Sequence, residues 1–157
     1  MFLMILNSIA IYILVGSIGA LVYLKKRSRF LDFFLALGLA GLISEGLKYI
    51  VNRPRPLLGI ERGFEGSGFP STHTSIAFAA VFFWVLVCHS FSSKESRGKG
   101  MALICALVAG ALFVGVLRIL SGAHYPIDVF AGAIIGMLAV LPFRYYDVRA
   151  RSVRSKQ

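Results

Sequence analysis

The chain has 157 residues, of which 57% are hydrophobic and 15% are charged, and its mean hydropathy is +0.78. A soluble domain would carry about 25% charged residues, so this composition excludes an ordinary soluble protein. We therefore expect an all-α membrane helix bundle that forms a single domain over residues 1–157.

Five apolar runs follow one another along the chain, and a membrane-spanning helix needs roughly 20 residues. The runs are residues 2–24, 30–50, 70–91, 101–120 and 126–143. We do not expect the first run to be a signal peptide, because it is too long and its basic cluster follows it instead of preceding it. The sequence therefore predicts a polytopic bundle of about five transmembrane helices.

The basic residues are concentrated between these runs. The net charge of +10 would fit a nucleic-acid partner, but twelve of the seventeen Lys and Arg residues lie in segments 25–29, 92–100 and 144–156. Five spans place all three segments on one side of the membrane, and the positive-inside rule makes that side cytoplasmic. We expect an outer N-terminus, a cytoplasmic C-terminus, a location in the cytoplasmic membrane, and contact with lipids instead of nucleic acid.

The other ionisable groups gather at the opposite, outer face. They are the cations Lys48, Arg53, Arg55, Arg62 and Arg118, the histidines His73 and His124, and the carboxylate of Asp128. A Lys or Arg at the centre of a membrane helix costs on the order of 2.5–3.5 kcal/mol, so a single cation at a helix end needs no special role. A mixed set that comes from three separate helix ends indicates a functional site.

Two segments of this set have a recognisable local chemistry. Ser71 is a suitable N-cap for the third apolar run, and the free N–H groups of such a helix start attract an anion. Asp128 follows His124 by four residues, and a carboxylate there can hold one ring nitrogen protonated while the other acts as nucleophile or base. The set suits a tetrahedral oxyanion. It offers neither a carboxylate cluster for magnesium nor a His/Cys set for zinc, so we expect no metal and no cofactor.

Three motifs in this region resemble those of the type-2 phosphatidic acid phosphatase superfamily. They are Lys48 followed after six residues by Arg55-Pro56, then "PSTH" at 70–73, then Arg118, His124 and Asp128 in "LRILSGAHYPID". The order and the internal spacing match the family pattern. Two positions depart from it, because Thr72 stands in place of a glycine and Leu117 in place of a serine.

The resemblance implies a role for each matching residue. His124 would attack phosphorus and form a phosphohistidine, and Asp128 would orient it. His73 would protonate the leaving alcohol and then activate water. The groups that would hold the phosphoryl oxygens are Lys48, Arg55, Ser71, Arg118 and local backbone N–H groups, with Thr72 as an added hydroxyl.

The implied activity is metal-independent hydrolysis of a membrane lipid phosphate at the outer face. The short chain suggests an open site for a large headgroup, which favours lipid A 1-phosphate. Phosphatidylglycerophosphate, phosphatidate and undecaprenyl pyrophosphate are alternatives. An anion-binding transporter and an inactive lipid-phosphate binder are the other classes considered, and the oligomeric state is left open.

Two further residue patterns have structural interpretations. Glu45 lies one turn before Lys48, and we interpret it as a structural partner of Lys48 or Arg118, with a catalytic acid as the alternative. The segment "GAIIG" at 132–136 has small residues four positions apart, which lets helices approach closely. We expect it to serve packing within the chain, with dimerisation as the alternative.

Overall fold

The computed structural model describes residues 27–61, 63–88 and 94–154, and every regular element in these ranges is a helix. The elements are α1 (Arg27–Val51), α2 (Leu57–Glu61), α3 (Thr72–Cys88), α4 (Lys94–Leu120) and α5 (Pro126–Arg154). The prediction of an all-α fold is confirmed for this part of the chain.

Three of the helices are long and apolar enough to cross a membrane. The spans are Leu31–Val51 in α1, Gly100–Leu120 in α4 and Pro126–Tyr145 in α5, and α3 adds a shorter apolar stretch, Thr72–Leu86. The described residues therefore hold three or four of the five predicted spans. The first predicted span, residues 2–24, lies outside the described residues, so the number five and the sides of the two termini stay predictions.

The outer surface of the bundle is apolar, as contact with hydrocarbon requires. Large apolar side chains such as Leu42, Phe113 and Phe130 are exposed on α1, α4 and α5 respectively. A soluble monomer rarely exposes large continuous apolar patches, so these surfaces indicate a bilayer environment.

Helix α3 occupies the centre of the bundle and packs against α1, α4 and α5. Its Trp84 and Phe83 are buried, and the Phe83 ring meets Phe33 of α1 edge-on with ring centroids 5.3 Å apart. Leu107 of α4 and Val140 of α5 belong to the same cluster. A helix that is apolar on all sides suits this central position.

Helices α3 and α5 approach so closely that only glycine fits between them. A Cβ atom added at Gly132 would lie 2.6 Å from the Ser71 carbonyl oxygen, and one at Gly136 would overlap the Ser75 carbonyl oxygen. The "GAIIG" segment therefore packs within the chain, which confirms the prediction made from its spacing.

The ends of α1 and α4 and the starts of α3 and α5 lie together at one end of the bundle. Helix α1 ends with a hydrogen bond from Asn52 N to the Lys48 carbonyl, and Asn52 has a φ of 43°. Helix α4 ends in a turn at Gly122, whose φ is 74°, and His124 N then donates to the Arg118 carbonyl at 3.2 Å. A residue with positive φ is the usual terminator of a helix. This turn places His124 over the end of α4.

We predict that Gly136→Ala destabilises the bundle. The added methyl group would meet the α3 backbone, and such overpacking costs about 1–3 kcal/mol. Gly38→Ala is the matched control, because a Cβ at Gly38 has no atom within 4 Å. Thermal unfolding in detergent should show a lower Tm for Gly136→Ala and an unchanged or higher Tm for Gly38→Ala. Equal Tm values for the two variants would contradict the close approach of α3 and α5.

Candidate active site

The predicted site residues meet where α1 and α4 end and α3 and α5 begin. Ser71 N donates to the Asp128 carbonyl at 3.0 Å and thereby joins the starts of α3 and α5. His73 lies in the first turn of α3, within the electrostatic influence of Arg118 and Lys48. The structure thus collects all eight predicted residues at one end of the bundle, whereas Arg62 lies outside the described residues.

His124 is buried in the turn between α4 and α5, and both of its ring nitrogens have a defined partner. Nδ1 lies 2.6 Å from the Gly68 carbonyl oxygen, and Nε2 lies 3.4 Å from Arg118 Nη2. A carbonyl oxygen can only accept a hydrogen bond, so Nδ1 carries the proton. The Nε2 lone pair is therefore directed into the site, as a nucleophile at this position requires.

The charge state of His124 follows from its surroundings. Burial lowers the pKa of the imidazole to about 3, and the positive charge of Arg118 acts in the same direction, while the hydrogen bond to Gly68 opposes them. A buried imidazole beside a cation favours its neutral form. His124 is consequently neutral throughout the physiological pH range.

Asp128 is fully buried, but it is not in hydrogen-bond contact with His124. Its Oδ2 atom lies 3.8 Å from His124 Nδ1 and accepts the Tyr125 N–H at 2.8 Å instead. We expected the carboxylate to hold the ring nitrogen, and the Gly68 carbonyl takes that place. The physical reason is that α5 begins at Pro126, so the carboxylate caps its own helix start.

Asp128 forms an ion pair with Arg53, a contact that was not predicted from the sequence. The Arg53 Nη1 atom lies 3.2 Å from Asp128 Oδ1, and the Arg53 guanidinium lies over the Tyr125 ring at 4.7 Å from the centroid. Arg53 therefore balances the buried carboxylate. Arg53 lies two residues before Arg55 in the sequence. A contact between two residues that are 75 positions apart, however, leaves no local pattern in the sequence.

Arg55 and Arg118 are the cations that face the centre of the site. Arg55 donates from Nη1 to the Ala123 carbonyl at 2.8 Å and from Nε to the Glu65 carbonyl at 3.0 Å. Arg118 is 6% exposed, and its buried Nε has no hydrogen-bond partner. A buried donor without a partner costs about 1–3 kcal/mol, so the Arg118 guanidinium is prepared for an anionic ligand.

A chain of buried hydroxyl groups supports the start of α3. Thr74 Oγ1 donates to Ser71 Oγ at 3.0 Å, and Ser44 Oγ donates to Ser75 Oγ at 2.7 Å. Because Ser71 Oγ accepts from Thr74, its own proton is left to donate to a ligand. Sequence reasoning found Ser71 but missed Ser44, Thr74 and Ser75, because none of the three belongs to a motif.

Glu45 links the end of α1 to the start of α3. Its Oε1 atom accepts from Lys48 Nζ at 2.8 Å and from Thr72 Oγ1 at 2.7 Å. The interpretation of Glu45 as a structural partner of Lys48 agrees with this geometry. Thr72 was expected to bind phosphate. Its hydroxyl points instead to Glu45, because this first turn of α3 lies beside α1.

No three His, Cys, Asp or Glu side chains lie together as a possible metal site within residues 27–61, 63–88 and 94–154. The cations of the site and the N-terminus of α3 are groups that bind an anion. The expected independence of metals and cofactors stays a prediction.

The family profile of the PAP2 superfamily matches residues 29–152. The chain belongs to the PAP2 superfamily. Phosphatases of this superfamily hydrolyse phosphoester bonds of lipid phosphates. The match confirms the resemblance that we found in the three motifs.

Several curated relatives of this PAP2 chain are bacterial. Phosphatidylglycerophosphatase B of Bacillus subtilis is 31% identical over 91% of this chain and 70% of its own length. Lipid A 1-phosphatase of Porphyromonas gingivalis is 35% identical over 66% of this chain and 21% of its own length. Bacitracin transport permease protein BcrC of Bacillus licheniformis is 39% identical over 52% of this chain and 34% of its own length. The chain thus spans about a third or less of the last two relatives.

Two solved structures share the PAP2 architecture described here. Aquifex aeolicus LpxE superposes with a TM-score of 0.58 at 26% identity, over 83% of this chain and 74% of that one. The Bacillus subtilis PAP2-type phosphatidylglycerolphosphate phosphatase superposes with a TM-score of 0.73 at 20% identity, over 94% of this chain and 74% of that one. The second similarity concerns the fold alone.

We predict that the Thr72 hydroxyl is required to hold Glu45 and Lys48 in place. Thr72→Val removes the donor at nearly constant volume, and the loss of one hydrogen bond of about 0.5–1.5 kcal/mol should lower kcat/KM for a lipid phosphate about 2- to 10-fold. Thr72→Ser keeps the donor and should retain activity. In a double-mutant cycle, Thr72→Val should add little to Glu45→Gln. Additive losses would show that the two residues act independently.

Proposed function

We propose that this PAP2 chain removes the phosphate from a membrane lipid through a phosphohistidine on His124. The observation that carries the proposal is the orientation of that residue. Nδ1 is fixed on the Gly68 carbonyl, and Nε2 faces a buried arginine that has an unpartnered N–H. A nucleophile and an unsatisfied anion-binding group at one point suit attack on a phosphate ester.

The phosphate would bind first, by its non-bridging oxygens. Arg118, Arg55 and Lys48 supply positive charge, and Ser71 with the first N–H groups of α3 supplies directed donors. Charge-assisted hydrogen bonds to phosphate are among the strong ones, and arginine offers them in pairs. Binding would satisfy the free Nε of Arg118.

In the first chemical step, His124 Nε2 attacks phosphorus and the bond from phosphorus to the lipid oxygen breaks. His73 donates a proton to that oxygen, so the lipid leaves as an alcohol. The ring of His124 becomes positively charged while it is bonded to phosphorus. The Gly68 carbonyl holds its Nδ1–H, and the Asp128 carboxylate at 3.8 Å stabilises the charge.

In the second step, His73, which is now neutral, takes a proton from a water molecule. The water oxygen attacks phosphorus, and the bond between phosphorus and Nε2 breaks. Inorganic phosphate leaves, His124 returns to its neutral form, and His73 holds the proton for the next cycle. The route uses no metal and no cofactor, and phosphate release in excess chelator checks this.

Membership of the PAP2 superfamily does not determine which lipid is the substrate. The relatives named above act on phosphatidylglycerophosphate and on lipid A, at 31% and 35% identity. We favour lipid A 1-phosphate, the substrate named for one of these relatives. Phosphatidylglycerophosphate, phosphatidate and undecaprenyl pyrophosphate are the alternatives.

An anion-binding transporter is the competing class. Transport would require ionisable groups along a path through the membrane. Among the residues whose burial is described, the buried charged side chains are those of Arg118 and Asp128, and both lie at the same end of the bundle. The placement of these charges supports an enzyme.

We predict that the two histidines have separable roles. His124→Ala should abolish phosphoenzyme formation on every substrate, because it removes the nucleophile. His73→Ala should lower the rate about 10²–10⁴-fold for a lipid alcohol, the usual contribution of general acid catalysis. On a nitrophenyl phosphate, whose leaving group needs little protonation, His73→Ala should still form the phosphoenzyme. Rapid quench without acid, followed by phosphohistidine detection, decides the matter. Phosphoenzyme in His124→Ala and none in His73→Ala would reverse the two roles.

We predict further that the site faces the outside of the cytoplasmic membrane. The inside location of the basic segments implies that Ser67 is outside and Ser155 inside. In a variant that lacks Cys88 and Cys105, an impermeant thiol reagent added to intact cells should label Ser67→Cys but not Ser155→Cys. Labelling of Ser155→Cys would place the site on the cytoplasmic side.

A further inference from the structure

Arg53 contacts both Gly68 and Asp128, the two residues that lie beside Nδ1 of the His124 ring. Its Nη1 atom lies 3.2 Å from Asp128 Oδ1, and the other oxygen of that carboxylate, Oδ2, lies 3.8 Å from Nδ1. The main chain of Arg53 acts at the same point, because its carbonyl accepts from Gly68 N at 2.8 Å and the Gly68 carbonyl holds Nδ1. One residue therefore supports the ring of the nucleophile in two ways.

The Arg53 side chain is held in this position by Tyr125 as well as by the carboxylate. Its guanidinium lies 4.7 Å from the centroid of the Tyr125 ring, while the Tyr125 N–H donates to Asp128 Oδ2 at 2.8 Å. Each of these three residues thus contacts the other two. A cation over the face of an aromatic ring is attracted to that ring, so the ring and the carboxylate together fix the guanidinium.

Arg53 differs from the cations that we assign to the phosphate. Lys48 and Arg55 line a cavity of about 480 Å³ at the site, whereas Arg53 is not among the described residues that line it. Arg55 also acts electrostatically on Asp128, but less strongly than Arg53 does. Arg53 is therefore placed as the counter-ion of the carboxylate and not as a ligand of the substrate.

The proposed reaction changes the charge beside this carboxylate. His124 is neutral before it attacks and becomes positively charged while it is bonded to phosphorus. A fully buried carboxylate such as Asp128 stays ionised only when a cation pairs with it, since an isolated charge in such surroundings is neutralised by proton transfer. While the His124 ring is neutral, Arg53 supplies that cation. The carboxylate then already carries its negative charge when the ring becomes cationic.

We propose that Arg53 is a positioning residue of the phosphoryl transfer, which keeps Asp128 ionised and in place so that it can stabilise the cationic phosphohistidine on His124. Arg53 acts through Asp128 and does not touch the phosphate. Its contribution arises in the transition state and not in substrate binding, so its loss should lower kcat and leave KM unchanged. This role rests on the proposed function and adds to its mechanism a residue that is not a defined position of the three motifs.

The first test compares two replacements of Arg53 that differ in charge. Arg53→Gln is neutral and should lower kcat on the order of 10- to 100-fold at unchanged KM, the range found for partners that orient metal-bound histidines. Arg53→Lys keeps the positive charge and should retain most of the activity. The substrate is the lipid phosphate that the native chain hydrolyses fastest, among the four considered above, in mixed micelles. Equal kcat values for the two variants, or a raised KM at native kcat, would overturn the proposal.

A double-mutant cycle shows whether Arg53 acts through Asp128. In the Asp128→Asn background there is no carboxylate to keep ionised, so Arg53→Gln should have little further effect on kcat. Additive losses would show that the two residues act independently and would overturn the proposal. Thermal unfolding of the same proteins gives the folded fraction at the assay temperature. A loss of kcat that merely follows the unfolded fraction would overturn the proposal as well.

Chemical rescue tests the guanidinium group itself. The Arg53 side chain is 37% exposed, so a small cation from solvent can reach the space that Arg53→Ala leaves. Millimolar guanidinium chloride should restore part of the phosphohistidine formation in Arg53→Ala but not in Arg53→Ala combined with Asp128→Asn, and potassium chloride at equal ionic strength should restore neither. Restoration by both salts, or none by guanidinium, would overturn the proposal. These outcomes are distinct from a failure of the proposed function, in which the native chain itself forms no phosphohistidine on any of the four lipids.

Discussion

The hydrogen bond from His124 Nδ1 to the Gly68 carbonyl is the contact on which the rest of the site depends. Gly68 N donates to the Arg53 carbonyl at 2.8 Å, so this one residue ties together the segments that carry the three motifs. A Cβ at Gly68 would lie 3.3 Å from Arg55 Cγ and 3.5 Å from Asp128 Oδ2. A side chain at this position would therefore be crowded by Arg55, while His124 and Arg53 bind the Gly68 backbone.

The charged groups of the site divide into those that form ion pairs with each other and those that could bind an anionic ligand. Asp128 balances Arg53, and Glu45 balances Lys48. Arg118 is different, since it is buried beside a neutral histidine and keeps an unpartnered N–H. An uncompensated buried charge is costly. A bound anion would supply the opposite charge, so this arrangement favours anion binding.

The bundle and the site are connected through α3. The apolar middle of α3 packs against three helices. This packing fixes the position of its first turn along the helix axis and its rotation about that axis. Gly132 lets α5 approach the Ser71 carbonyl, and the paired hydroxyls of Ser44 and Ser75 join α1 to the same turn. Buried polar groups that are satisfied in this way define one arrangement, because any shift leaves a donor or acceptor without a partner. Packing in the hydrocarbon therefore positions the N–H groups at the start of α3.

The sequence by itself determined the helical membrane fold, the family and the identity of the residues that gather at one face. Hydropathy and motif spacing are local properties, so they can be read without knowing how distant segments meet. The number of spans and the sides of the termini stay predictions. Only the tertiary structure decided that Gly68, not Asp128, holds His124, that Arg53 is the partner of Asp128, and that Thr72 binds Glu45. Each of these contacts joins segments that are from 27 to 75 positions apart. Several hydrogen-bond partners of similar chemistry compete at each point, and the relative placement of the helices selects among them.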